Sequence, residues 1–295
     1  MVKEHKELTL NEALQKASFF LNQHGHDANL ARYYWMQLFD WDLSQTVKFL
    51  NQPISQGLAS QFDSALHRIV NDEPIQYISG YTYFMDHKYQ VSPACLIPRE
   101  ETAGLVEKAL AYMRQLPPGK VIDLGTGSGI IAIELKKALP TWEVYASDFS
   151  QATLQLATKN ANDHQVNIQF VHSDLMQAFK PDIQFDVFVS NPPYIAQSDL
   201  DLMDASVKKY EPQSALFAED EGLAIYKALA KQLPSHLKPR AGVFLEIGFA
   251  QGLAVKTILQ DAFPAAFIQI GRDFAGKDRY VSLMREEDLN EDSNF

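Results

Sequence analysis

Two hydrophobic rhythms divide this chain. From residue 8 to about residue 72 apolar positions recur every three or four residues. Thr9 and Glu12 have the spacing of a capping box, and Leu14, Ala17, Phe20 and Leu21 follow them on one helical face. Further helices are predicted over about 27–39, 44–50 and 55–70, which together make a small helical bundle. Tyr33, Tyr34, Trp35 and Phe39 crowd the second of these, and packing between short helices accounts for them better than a partner-binding surface.

The rhythm changes after Pro74. "YTYF" and "KYQV" flank Met85, Asp86 and His87, which predicts a short β-hairpin, and "SPACLIPREETA" then leads into a helix through about Gln115. Pro117, Pro118 and Gly119 punctuate before "KVIDLG", the first clear buried strand. Beyond it the apolar runs "EVYASD", "NIQFVHSD", "FDVFVSNPPY", "AGVFLEIG", "AFIQIG" and "DRYVSLMRE" are separated by amphipathic stretches such as "GIIAIELKKAL", "SQATLQLATKNAN", "GLAIYKALAKQL" and "QGLAVKTILQDA". Short strands interleaved with helices predict an α/β fold with an open, mostly parallel, doubly wound sheet. The expected division is 1–73 as an N-terminal helical domain, 74–98 as hairpin and linker, 99–286 as the sheet domain and 287–295 as an acidic tail.

Composition narrows the class. A chain of 295 residues fits one large domain with a smaller one. Its 26 Lys and Arg against 37 Asp and Glu give a net charge of −11, which opposes broad attachment to nucleic acid or an anionic membrane. Cys95 is the sole cysteine, so no internal disulfide forms, and no Cys/His cluster offers a zinc site. The start, "MVKEHKELTL", lacks the apolar run of a secretory signal, and no apolar stretch is long enough to span a bilayer. A cytoplasmic protein without a metal is expected.

Candidate chemistry sits at the ends of the predicted strands. "DLGTGSG", Asp123 to Gly129, falls where the first strand turns into a helix, and Gly125, Gly127 and Gly129 around Thr126 let a ligand approach the backbone. A dinucleotide site would read G-x-G-x-x-G; here the spacing is G-x-G-x-G, and the Asp123 carboxylate ahead of it suits an ammonium or sulfonium better than a pyrophosphate. Asp148 ends the second strand, where a carboxylate can accept from both hydroxyls of a ribose, or can simply open the next helix. Asp174 and Leu175 end the third, where an acceptor beside an apolar side chain can hold an aminopurine, or Asp174 can cap a turn. Together they favour an adenosine ligand with a cationic tail, and S-adenosylmethionine fits that description.

The fourth strand ends in Ser190-Asn191-Pro192-Pro193-Tyr194. Consecutive prolines cannot continue a ladder, and each restricts the residue before it, so they stiffen a loop. The Asn191 side-chain oxygen and the Pro192 carbonyl can each accept one N–H of a target NH2 group, and Tyr194 offers a flat face for a planar amide or base. Asn191, Pro192, Pro193 and Tyr194 are thus the candidate substrate-binding group, with Asn191 also beside the cofactor. An amide nitrogen is a poor nucleophile, so such a site works by position and electrostatics. An ordinary proline turn closed by a buried tyrosine is the bland alternative for an isolated "NPPY".

The set "DLGTGSG", Asp148, Asp174 and "NPPY" resembles the Rossmann-like S-adenosylmethionine methyltransferases that modify planar amino groups. More closely, the chain is similar to the HemK/PrmC family, the N5-glutamine methyltransferases of peptide chain release factors. "EPIQYISG", "LIPREET", "YEPQSAL" and "FAGKDRYV" extend the likeness over roughly 74–281. The resemblance implies a Rossmann-like seven-stranded methyltransferase sheet, conversion of S-adenosylmethionine to S-adenosylhomocysteine, and as target the glutamine in the Gly-Gly-Gln (GGQ) loop of class 1 release factors, engaged with help from the helical domain. The chain departs from the family's P-R-P-E-T-E at Pro98-Arg99-Glu100-Glu101-Thr102-Ala103, and has Asp86 where the family often has glycine. Arg99 and Glu101 either support the site or form an exposed ion pair, and Lys208 and Lys209 either meet an anionic partner or are solvated surface.

"NPPY" alone does not separate glutamine from the exocyclic amine of a base. A DNA or RNA amino-methyltransferase, acting at adenine N6, cytosine N4 or guanine N2, is the alternative, and the acidic charge favours a protein target without stable nucleic-acid binding. A non-catalytic scaffold that holds release factor or ribosome has no need of all these motifs. An NAD-dependent oxidoreductase conflicts with the glycine spacing.

Overall fold

The computed structural model describes residues 7–273 and 275–285; the expected acidic tail at 287–295 lies outside the described residues. Two compact units divide the chain. One reaches as far as Gly80 and takes back Asp204–Tyr210, and the other comprises Tyr81–Met203 and the chain from Glu211.

The first unit is helical: α1 (Leu10–Gln23), α2 (Leu30–Phe39), α3 (Leu43–Phe49), α4 (Gln56–Val70) and α5 (Ile75–Ser79). The Thr9 capping box forms, with Glu12 N–H donating to Thr9 Oγ1 at 3.2 Å and Thr9 N–H to Glu12 Oε2 at 2.8 Å. Leu10, Leu14, Ala17 and Leu21 turn inward from α1 onto Tyr34, Trp35, Phe62 and Leu66. Tyr34 stacks on Phe62 with ring centroids 5.9 Å apart, so the aromatic cluster does pack between helices, except for Tyr33, which is 43% exposed. The periodicity did not predict α5, which is held between Pro74 and a left-handed Gly80 at φ 82°. Helix Ala205–Tyr210 joins this unit because Lys209 Nζ and the Tyr210 hydroxyl both donate to the Asn71 carbonyl, each at 2.9 Å.

The second unit opens with the hairpin β1 (Tyr81–Phe84) and β2 (His87–Gln90), antiparallel about a two-residue turn. Met85 and Asp86 both have positive φ, 46° and 63°, as a tight hairpin turn requires, and an aspartate tolerates that conformation. Then come α6 (Thr102–Met113), β3 (Lys120–Leu124), α7 (Ile130–Ala138), β4 (Glu143–Asp148), α8 (Gln151–Asp163), β5 (Gln169–His172) and β6 (Phe185–Ser190). Short helices at Gln197–Leu202 and Gln213–Leu216 precede α9 (Ala224–His236), β7 (Leu237–Glu246), α10 (Gly252–Ala262), β8 (Phe267–Arg272) and β9 (Asp278–Met284). Helix α9 runs through Pro234 to its last turn, where the apolar rhythm alone stops at Leu233.

All seven expected strands form one sheet in the order β5-β4-β3-β6-β7-β9-β8, parallel except for β9. Successive residues of β3 face opposite layers. Val121 packs with Leu105 and Val106 of α6 and Ile131 of α7, whereas Ile122 and Leu124 pack with Leu229 and Leu233 of α9 and Val255 of α10. Burial on both faces explains why these strands read as unbroken apolar runs. The chain passes from β3 outward to β4 in one direction and later resumes at β6 in the other, so the strand order reverses between β3 and β6. A crevice opens there at the carboxyl ends of the strands.

Candidate functional site

At that crevice lies a cavity of about 540 Å³, within the ordinary range for a small-molecule site. Its wall includes Gly125, Thr126 and Gly127 after β3, Asp148 and Phe149 after β4, Asp174 and Leu175 after β5, and Asn191, Pro192 and Pro193 after β6. The sheet therefore gathers residues from four strand ends.

The glycine turn is built on left-handed backbone, with φ of 69°, 56° and 88° at Gly125, Gly127 and Gly129. At Gly129 an added Cβ would lie 3.2 Å from the Ala157 Cβ, so that glycine lets α7 and α8 approach. Nothing stands within 4 Å of a Cβ added at Gly125 or Gly127, where the turn faces open space. Gly125 N–H and Thr126 N–H both donate to the Ser147 carbonyl, at 2.8 and 2.9 Å. Gly127 N–H donates to Asp148 Oδ2 at 3.1 Å, and Ser150 N–H to Asp148 Oδ1 at 2.9 Å. Asp148 thus fastens the turn at the cavity wall. The helix that follows is capped by Ser150, whose hydroxyl accepts from Thr153 N–H at 3.3 Å, so capping is not what Asp148 does.

Asp123 departs from expectation. Its side chain is fully buried beneath the turn and does not reach the cavity wall; Oδ2 accepts from the Thr126 hydroxyl at 2.6 Å and from Ala132 N–H at 3.2 Å. Burial pushes its carboxyl up to about 7, against those hydrogen bonds. The orphaned Oδ1 has no partner among the described residues. Left-handed glycines fold the chain over this carboxylate, which a linear reading of Asp-Leu-Gly does not convey.

Asp174 is exposed at the cavity edge and accepts from Gln177 Nε2 at 2.8 Å, so it also closes its own turn. Leu175 is held at φ 48°, with its carbonyl accepting from the Ser173 hydroxyl at 2.6 Å. Such backbone in a leucine is strained and persists where surroundings fix it.

Around the proline loop the parallel register decides the neighbours. Ser190 on β6 pairs with Leu245 on β7, which brings Asn191 level with Glu246. Asn191 Nδ2 donates to Thr102 Oγ1 at 3.3 Å, and Thr102 Oγ1 donates to Glu246 Oε2 at 2.8 Å. Glu246 is buried, which pushes its carboxyl up to about 7. Tyr194 does not line the cavity; its ring packs against the α9 and α10 core layer, and burial raises its hydroxyl to about 12 despite the Arg279 guanidinium beside it. Its carbonyl accepts from Gln251 Nε2 at 2.9 Å, and a Cβ added at Gly222 would lie 2.1 Å from that carbonyl oxygen. The ring is half-buried against that layer and anchors the loop.

The altered loop after Pro98 is also anchored. Arg99 lines the cavity and pairs with Glu211, which is 2% exposed and accepts in addition from Ile97 N–H at 3.2 Å. Glu101 is exposed and does not line the cavity. Thr102, Glu246, Gly222 and Phe149 were not singled out from the sequence. An acid closing the apolar run "GVFLE" was the available signal for Glu246.

Residues 106–211 match the family model of the methyltransferase small domain. The catalytic domain of hMettl16, solved in complex with the MAT2A 3'UTR hairpin 6, shares the fold at a TM-score of 0.53, with 18% identity over 68% of this chain and 77% of that one. Sheet order, glycine turn and cavity define the class of S-adenosylmethionine-dependent methyltransferases. Residues 12–80 match the PrmC N-terminal domain. A release factor glutamine methyltransferase of Lactococcus lactis is 41% identical over 84% of this chain and 91% of its own length, and one of Enterococcus faecalis is 38% identical over 91% and 96%. The chain belongs to the release factor glutamine methyltransferase family. Among the described residues no helix is long and apolar enough to cross a membrane.

Proposed function

We propose that this protein transfers the methyl group of S-adenosylmethionine to the side-chain nitrogen of the glutamine in the GGQ loop of a class 1 release factor. One observation carries the reading: Asn191 and Pro192 share a single cavity wall with the glycine turn and Asp148, so an amide held at the proline loop lies beside a cofactor held at the turn. The cofactor fits the residues present. Gly125 and Gly127 leave open space above the backbone, Asp148 offers carboxylate oxygens for a ribose, and Phe149, 56% exposed on the same wall, offers a face for a purine.

When bound, S-adenosylmethionine supplies a methyl group on a sulfonium centre. The chain supplies position. Asn191 Oδ1 and the Pro192 carbonyl accept the two N–H bonds of the target amide and stabilise the positive charge that grows on its nitrogen; the proton lost from that nitrogen passes to solvent. Asp148 holds the ribose and the turn together. Asp123 acts from beneath by fixing Thr126 and the start of α7. Tyr194, Gln251 and Gly222 set the place of the loop. The helical unit helps to engage the release factor.

The net charge of −11 supports a protein target over stable nucleic-acid binding. Isotope-labelled cofactor offered with release factor, with the same factor lacking the GGQ glutamine, and with RNA or DNA separates the substrates. Label in the intact factor alone is expected. Label in nucleic acid and none in the factor would refute the proposal.

A further inference from the structure

The two ends of the Asn191 amide are chemically opposite, and the end that meets the target depends on what holds the other. A threonine hydroxyl has one hydrogen to give. Once Thr102 gives it to a Glu246 carboxylate, which only accepts, Thr102 can only accept from its remaining neighbour. Asn191 must then turn its NH2 to Thr102, as observed, and its carbonyl oxygen is left for the cavity. A proton on Glu246 permits the reverse direction: Glu246 donates to Thr102, Thr102 donates to Asn191 Oδ1, and the cavity meets NH2, which cannot accept from the NH2 group of the target amide.

We propose that Thr102 and Glu246 are positioning residues that set the direction of this hydrogen-bond chain, and that ionised Glu246 turns the Asn191 acceptor toward the substrate. The inference rests on the role given to Asn191 above. Glu246 lies where it can change state. It is 2% exposed at the end of β7, and burial pushes its carboxyl up to about 7. On β9 the Arg279 guanidinium favours the ionised form, although Arg279 is shared with Asp273 at 3.0 Å; Glu101, before α6, opposes it. Thr102 and Asn191 favour the carboxylate by hydrogen bonds. Of the nearby phenols, Tyr226 on α9 gives its hydrogen to the Glu246 backbone carbonyl at 2.7 Å, and Tyr194 faces Arg279. Raised folded pKa and acceptor orientation then act in one direction, and turnover falls as pH drops through about 7.

The test reads the asparagine itself. In 15N-labelled protein the Asn191 side-chain NH2 resonance, assigned by its loss in Asn191→Ala, is expected to titrate with a midpoint near 7 in the unaltered chain. In Glu246→Gln that titration is expected to vanish. In kinetics, the acidic limb of kcat near pH 7 is expected to disappear in Glu246→Gln whatever its plateau. Thr102→Val is expected to lower kcat about tenfold, the order of one neutral hydrogen bond, with cofactor affinity unchanged, and Thr102→Ser to restore it. An Asn191 resonance that ignores pH, a limb that survives in Glu246→Gln, or full turnover in Thr102→Val would overturn the proposal. The resonance is read without substrate, so its failure is distinct from a failure to methylate release factor.

Discussion

Gly222 lies outside the cavity, yet its replacement by alanine is expected to disable the enzyme. It ends a turn in which Asp220, Glu221 and Gly222 all have positive φ, at 60°, 57° and 82°. An alanine there would place its Cβ 2.1 Å from the Tyr194 carbonyl oxygen, 2.8 Å from its carbon and 2.7 Å from Gln251 Nε2. The glutamine can swing away, but the carbonyl is backbone of the proline loop. Reaching even 3.0 Å demands an opening of about 0.9 Å, which falls on the segment that carries Asn191 and Pro192. Left-handed backbone in alanine costs about 1–2 kcal/mol before any steric term. A displacement of about 1 Å at a positioning group lowers turnover on the order of a hundredfold. Gly222→Ala should therefore lose about 2 orders of magnitude in kcat and some stability while cofactor affinity holds, because the turn and Asp148 sit on other strand ends. Gly25→Ala is the matched control: its φ is also 82° and nothing lies within 4 Å, so it should show the backbone cost without loss of turnover. Denaturant unfolding, calorimetry with the cofactor and methyl transfer to release factor would be measured on both. A folded Gly222→Ala protein with full turnover would refute the account of the loop.

Asp148→Ala removes an acceptor of the Gly127 N–H as well as the expected ribose contact, and calorimetry should show cofactor affinity about 10–100-fold weaker; unaltered affinity would remove that role. Arg99→Ala leaves Glu211 buried without its cation and should lower unfolding free energy by about 2–3 kcal/mol, since the arginine is itself partly exposed; a change near zero in denaturant titration would contradict the anchoring of the altered loop. Asp123 has a folded carboxyl pKa raised to about 7 from 3.8, so its contribution to stability is fully present below about pH 4 and is lost as pH rises through about 7; Glu246 adds a slope of the same sign. Asp123→Asn should reduce the slope of unfolding free energy against pH, and an unchanged slope would remove Asp123 as a source of it.

The sheet was legible because its central strands are buried on both faces, so "KVIDL" and "FDVFV" stand out as unbroken apolar runs between amphipathic helices. The capping box at Thr9 was legible for the same local reason, being a bond between near neighbours. Asp148, Leu175 and Asn191 could be placed near one cavity because each ends or closely follows a strand, and parallel strands share a carboxyl edge. Contacts set by register or by backbone hand were not legible. Asn191 meets Glu246 only through the pairing of Ser190 with Leu245, and Gly222 meets Tyr194 only through a left-handed turn. Asp123 and Tyr194 show the limit from the other side. Both were expected at the ligand; neither lines the cavity, because the chain folds over the one and packs the half-buried ring of the other against the core.

The proposed reaction requires Asn191 and the loop around it to deliver a glutamine amide to the cofactor. Purified release factor, incubated with this protein and S-adenosylmethionine, would be examined by mass spectrometry with fragment ions that locate any added methyl. A single methyl on the GGQ glutamine is expected, reduced about a hundredfold in rate by Asn191→Ala while cofactor binding persists. An unmodified factor in the presence of bound cofactor, or equal methylation by Asn191→Ala, would contradict it.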